Sequence, residues 1–309
     1  MSDKETPMYT AENITILRGL EPVRKRPAMY IGSVGRDGVR HLLAEAVAFV
    51  IEEHRAGHCA RLEVWKEDSG HWNVRDDGRG LPSDRLKHAM TELSGRFGLG
   101  VPVINGLSED ATLTAERDGE RYAIHFRRGE QVAPQESLTP AGETGTHLRF
   151  LPDASIFTNL LVNPSDLRTW LFELACFNPG MAVHLQGERL DAPAGMVSLA
   201  EACAGGPLKD VVRFEAVQED MAVFGVLGWR GDGPAKVWSF CNQRETPMGG
   251  THVDGANLAL EDLPETGRWL LLNVQIASPY FSGQRRERLK NEEVRSVVES
   301  AIRSHRMFS

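Results

Sequence analysis

The chain has 309 residues, 41% of them hydrophobic and 25% charged, with a formal net charge of −8. That length holds two domains of ordinary size, and the balance of residue types is that of a globular protein rather than a disordered or fibrous one. The acidic excess excludes a whole-chain basic nucleic-acid binder, though local basic patches survive the average, and no run of eighteen apolar residues marks a membrane span.

Cys59, Cys176, Cys203 and Cys241 lie far apart in sequence and form no paired metal-ligand spacing. They read as reduced thiols, and the polar N-terminus lacks the apolar run of a signal peptide, so the expectation is a soluble cytoplasmic protein. Residues 1–13 read as an arm with Tyr9 its only aromatic residue. Ile14, Ile16, Leu17, Leu20 and Val23 then have helical spacing, Pro27 stops that helix and Gly32 allows a turn. The triplet Arg24-Lys25-Arg26 reads as a solvated helix end favoured by the helix dipole.

A longer helix is expected over residues 38–57. Leu42, Leu43, Ala46, Val47, Val50 and Ile51 form the stripe of a helix packed on a sheet. His41, Glu45, Phe49 and Glu52 stack along its other face. Strands follow at 61–66 and 72–75, joined at Asp68-Ser69-Gly70. The second leads into Asp76-Asp77-Gly78-Arg79-Gly80, a buried strand ending in an acidic turn. A carboxylate at the mouth of a sheet can accept an exocyclic amine, and glycines beside it let a flat ligand reach the backbone. A surface helix followed by an ordinary turn would present the same residues.

Residues 83–93 are expected to be helical. Gly98-Leu99-Gly100 precedes an apolar run and suggests a glycine turn opening a helix whose free N–H groups can receive phosphates. A hairpin is expected at 113–116 and 121–126, a strand at 145–150, a helix at 165–177 and a strand at 182–185. Ala204-Gly205-Gly206-Pro207 is the expected domain boundary. Beyond it come strands at 211–214, 221–229, 236–241 and 270–276, helices at 253–260 and 292–305, and a polar, basic loop at 281–288.

Taken together, the chain resembles the N-terminal half of the ATPase component of bacterial type IIA topoisomerases, the gyrase B family with its topoisomerase IV counterpart. That family shares the wider GHKL fold of gyrase, Hsp90, histidine kinase and mismatch-repair ATPases. The resemblance rests on Val23-Arg24-Lys25-Arg26-Pro27-Ala28-Met29-Tyr30-Ile31-Gly32, on Asp76-Asp77-Gly78-Arg79-Gly80-Leu81-Pro82 and on Gly142-Glu143-Thr144-Gly145-Thr146. It implies an α+β chain: a GHKL (Bergerat) two-layer α/β sandwich over 14–205, then a transducer-like α/β domain over 206–309. It implies ATP as ligand, with Glu45 as the general base and His41 holding it. Asp76 would read the adenine amino group, supported by Thr146, with Gly78, Arg79, Pro82 and Arg117 around the pocket. Gly98, Gly100 and Val101 would end the phosphate loop, and Gln284 and Arg286 would reach the terminal phosphate. Tyr9 sits where the family's arm crosses to a second protomer, which implies a homodimer and a topoisomerase-like protein partner.

Three departures bear on the chemistry. The family's magnesium-holding asparagine is replaced by Phe49, which offers no oxygen to a hard cation. Only about fifteen residues, 83–97, separate Pro82 from Gly98, too few for a helix and a full glycine-rich lid. Arg286 replaces a phosphate-reading lysine, and a planar fork differs from a point charge. The expectation is therefore a nucleotide-binding protein with weakened ATP binding, no magnesium held in the usual mode and little or no hydrolysis, acting as a regulatory or interaction module. Two other readings stay open: a working ATPase that operates a DNA clamp with separate proteins, and a non-enzymatic binder of another purine.

Overall fold

At Pro27 one helix ends and another begins. Helix α1 (Glu21–Lys25) closes at Arg26, one more turn, α2 (Ala28–Ile31), follows, and Gly32 then reverses the chain at φ +73°. The structure, a computed structural model, describes residues 18–93, 100–140, 142–283 and 287–306.

Helix α3 (Gly38–Arg55) buries the six apolar residues expected of it, with Val39. It is followed by the hairpin of β1 (Arg61–Lys66) and β2 (Trp72–Asp76), with Val64 opposite Val74. A single 3₁₀ turn and α4 (Leu86–Thr91) come next. Helix α5 (Gly100–Gly106), in which every residue is buried, leads into β3 (Ser108–Arg117) and β4 (Glu120–Arg127). Three further strands are β5 (Glu130–Gln131), β6 (Glu136–Leu138) and β7 (Gly145–Pro152). With β8 (Ala182–Leu185) and β9 (Glu188–Arg189) they form one sheet ordered β5-β4-β3-β7-β2-β1-β8-β9, with β6 paired to β4. Strand β7 thus lies between β3 and β2, and this places Thr146 beside Asp76.

Arg24 is not a solvated helix end. Its guanidinium donates to the Gly106 carbonyl at 2.8 Å and pairs with the buried Asp153 at 2.6 Å. Burial alone would raise the Asp153 pKa, but the bonds from Ser155 and Arg24 outweigh it and hold the carboxyl below its ordinary value. The arginine therefore ties α1 to the ends of α5 and β7.

Helix α6 (Pro164–Phe177) crosses from the first compact unit, 1–169 with 180–189, into the second, 170–179 with 190–309. The second unit holds α7 (Met196–Ala204), β10 (Lys209–Gln218), β11 (Met221–Trp229), β12 (Lys236–Cys241), β13 (Arg244–Glu245), α8 (Thr251–Ala259), β14 (Arg268–Ile276) and α9 (Glu293–Arg306). Its sheet is ordered β10-β11-β14-β12-β13. One apolar core joins Phe214, Val223 and Leu272 to Ala256 of α8 and Val298 of α9. Another joins Val226, Phe240 and Leu271 to Cys176, Phe177 and the α7 residues Val197 and Leu199. The chain passes between the units at 169/170, 179/180 and 189/190, the last before the glycine run at 204–207. Gly205 instead ends α7 in the left-handed region, φ +75°, inside the second unit, because α7 is buried against that unit's own strands.

Candidate functional site

Strand alternation from Val74 turns Asp76 toward the α3 side of the sheet, where it is only 4% exposed. The N–H groups of Gly78 and Thr146 both donate to Asp76 Oδ1, at 2.8 and 3.3 Å. Burial, which these two bonds do not offset, pushes the Asp76 carboxyl up to about 6. Its neighbour Asp77 does other work: its Oδ1 accepts from the N–H groups of Ala60 and Arg61 at 2.8 and 2.7 Å, fixing the start of β1. Of the two adjacent aspartates, one looks into the pocket and the other holds the loop. Gly80, at φ +69°, closes the turn so tightly that a Cβ there would run into the Glu116 carbonyl.

His41 and Glu45 lie on the polar edge of α3, ahead of Phe49, which lines the pocket beside Asp76. His41 is half-buried and Glu45 is exposed as a residue, yet loss of water around its carboxyl raises its pKa. Gly100 opens α5 directly against it: a Cβ at that position would lie 2.9 Å from Glu45 Oε2 and 3.2 Å from the Glu45 carbonyl. Further along the helix, Glu53 accepts both arms of Arg79, Nε at 3.1 Å and Nη2 at 2.7 Å, and these bonds hold the Glu53 carboxyl below its usual range. The sequence pattern continues the stripe to Glu52, whereas Glu53 is the partner. Strict i+4 steps from 41 through 45 and 49 end on 53, a signal that was available.

Two spaces meet at Phe49. Inside, beside Asp76 and Thr146, lies a small pocket of ≈ 20 Å³ with Val50, Val74, Leu81 and Val101 in its wall. Its volume is that of about one water molecule. Outside lies a groove of ≈ 620 Å³ bounded by Glu53, Arg79, Pro82, Arg85 and Arg117. Phe49, Leu81 and Thr146 line both.

The structure thus gathers Asp76, Gly78, Arg79, Pro82, Val101, Arg117 and Thr146 around adjoining pockets, with Glu45 and Gly100 in contact nearby. Arg117 also pairs with its neighbour Asp118 at 3.2 Å. Leu81, Ala89 and Leu113 complete the inner wall without having been singled out from the sequence. Tyr9, Gly98, Gln284 and Arg286 lie outside the described residues.

Residues 35–153 match the family of histidine kinase-, DNA gyrase B- and HSP90-like ATPases. The matched segment contains α3, the Asp76 turn, α5 and Thr146, so fold and site together define an ATPase domain of that family. The similarity then extends along nearly the whole chain. It is 33% identical to the DNA gyrase B protein of Treponema pallidum over 357 positions, covering 95% of this chain and 55% of that relative. Identity to the DNA gyrase B protein of Thermotoga maritima is 31%, covering 96% and 56%. The solved ATPase domain of Thermus thermophilus gyrase B, in complex with an aminocoumarin, matches with a TM-score of 0.82 at 27% identity, covering 94% of this chain and 89% of that one. The chain belongs with the N-terminal ATPase region of gyrase B. It spans about half the length of the curated relatives it matches.

Proposed function

We propose that this protein binds adenine nucleotides through the Asp76 pocket but has lost the magnesium-supported grip on the triphosphate, and that it works as a regulatory or interaction module rather than an efficient ATPase. The observation that carries this reading is Phe49. It lines both the inner pocket and the outer groove, at the position where the resemblance to gyrase B implies a metal-holding asparagine. The residues fit the base. Asp76 Oδ1 takes two backbone N–H groups, which leaves Oδ2 to receive an exocyclic amine, and the wall around it is apolar. They do not fit the metal. A phenyl ring supplies no ligand to a cation that demands near-octahedral oxygens, and it sets apolar bulk where charge must be neutralised in phosphoryl transfer.

The comparison with the Treponema relative supports the same reading from chain length. The aligned 357 positions exceed the 309 residues of this chain by 48, so the relative carries at least that many residues this chain does without. Turnover of Mg-ATP at high protein concentration tests the proposal. The expected result is no turnover above a Glu45→Ala control, and ordinary enzyme rates abolished by Glu45→Ala would refute it.

A second reading, a working ATPase that drives a DNA clamp with other proteins, is favoured by Glu45. Its carboxyl has a raised pKa and sits one helical turn from His41, as a general base requires. It predicts dimerisation on binding a non-hydrolysable ATP analogue. Coincident size-exclusion profiles with and without the analogue would exclude it.

A further inference from the structure

Strand β10 is one edge of the second sheet. It pairs with β11 on its inner side, and among the described residues no strand pairs on its outer side. Its even-numbered residues Val212, Phe214 and Ala216 pack on the α8–α9 core, with the Phe214 ring lying over Gly225. Its odd-numbered residues Val211, Arg213, Glu215 and Val217 are exposed on the opposite face, Val217 by 71%. An irregularity between Lys209 and Val212 limits the regular edge to the part that follows. The edge carries no proline, and the exposed charges that follow its irregularity, Arg213 and Glu215, are of opposite sign. Here the middle is Val-Arg-Phe-Glu-Ala-Val.

The order of those residues says what the edge suits. When a strand pairs antiparallel with a copy of itself, opposed residues share a face, so the twofold axis must pass through a residue. An axis at Arg213 opposes two arginines and sets Val211 against Glu215. An axis at Glu215 opposes two glutamates. An axis at Phe214 opposes Arg213 to Glu215 twice, so both charged positions of the regular edge meet their complements. We propose that β10 is a homotypic interface, in which two copies of this chain join their second sheets edge to edge with the axis at Phe214.

One strand pair buries far less surface than a standard interface, so the association is weak and needs high concentration. Sedimentation velocity of the full chain without nucleotide, over roughly 5–300 μM, should show a concentration-dependent dimer. Arg213→Glu and Glu215→Arg should each weaken it by about ten-fold or more, because each replaces two attractive pairs by two repulsive ones. Mixing the two single variants restores both attractions in the heterodimer and should recover association to within about three-fold of the native chain. Val217→Lys, at an exposed position, should weaken it without changing the melting temperature. A chain that stays monomeric throughout, a dimer indifferent to all three substitutions, or folded single variants that fail to associate when mixed would each overturn the proposal.

Discussion

Asp76 is costly to the free protein. A buried carboxyl whose folded pKa lies above its unfolded value binds its proton more tightly when folded, so stability is lost as pH rises from about 3.8 to about 6. Asp76→Asn keeps an oxygen for the Gly78 and Thr146 N–H groups and removes the buried charge. It should therefore stabilise the unliganded protein at pH 7 by about 1–3 kcal/mol, and this gain should fade as the pH falls below 6 and vanish near 4. Urea unfolding across that range checks it, and the same variant should lose nucleotide binding. A destabilised Asp76→Asn at pH 7 would mean that the carboxylate is better satisfied than described. Phe49→Asn alone should not restore hydrolysis, because the short 83–97 segment remains, and robust turnover from that change would show the segment to be sufficient. At this scale the sequence was most legible where periodicity fixes direction: two-residue alternation from Val74 distinguishes Asp76 from Asp77. It was least legible for Arg24, whose buried partner Asp153 is 129 residues away.

Among the elements, α3 and α5 are held together by a glycine. Gly100→Ala would press a methyl group onto Glu45 and the α3 backbone, and should destabilise by about 1–3 kcal/mol and lower nucleotide affinity as the helices separate. Thermal unfolding and a titration with ATP measure the two effects. Arg24→Met would leave Asp153 buried with a weaker partner, Arg128 at 3.4 Å, and should cost about 2 kcal/mol or more in urea unfolding although it lies away from the pocket. An unchanged midpoint would return Arg24 to the role of a solvated helix end. Longer elements could be read, α3 from its period and β14 from its nearly unbroken buried apolar run. β5, β6 and β9 could not, since two or three residues carry no measurable alternation. The place of α7 was illegible for a related reason. Glycine marks a turn in the chain, but which core a helix such as α7 joins is decided by contacts far apart in sequence.

At the scale of the molecule, the family could be identified from the sequence because its motifs lie in the first unit, two of them within the matched residues 35–153 and the run 23–32 just before it. The second unit offered only Gln284 and Arg286 as residues of chemistry, and its place in a gyrase B-like chain rests on the similarity that runs along both units. The account as a whole turns on whether the base is bound without the metal. Calorimetric titration with ATP, once with magnesium and once with a chelator, decides it most directly. The two affinities should agree within about two-fold, since no oxygen ligand stands at position 49. Binding that tightens ten-fold or more when magnesium is added would contradict the account, because the metal would then be held by the protein together with the phosphates.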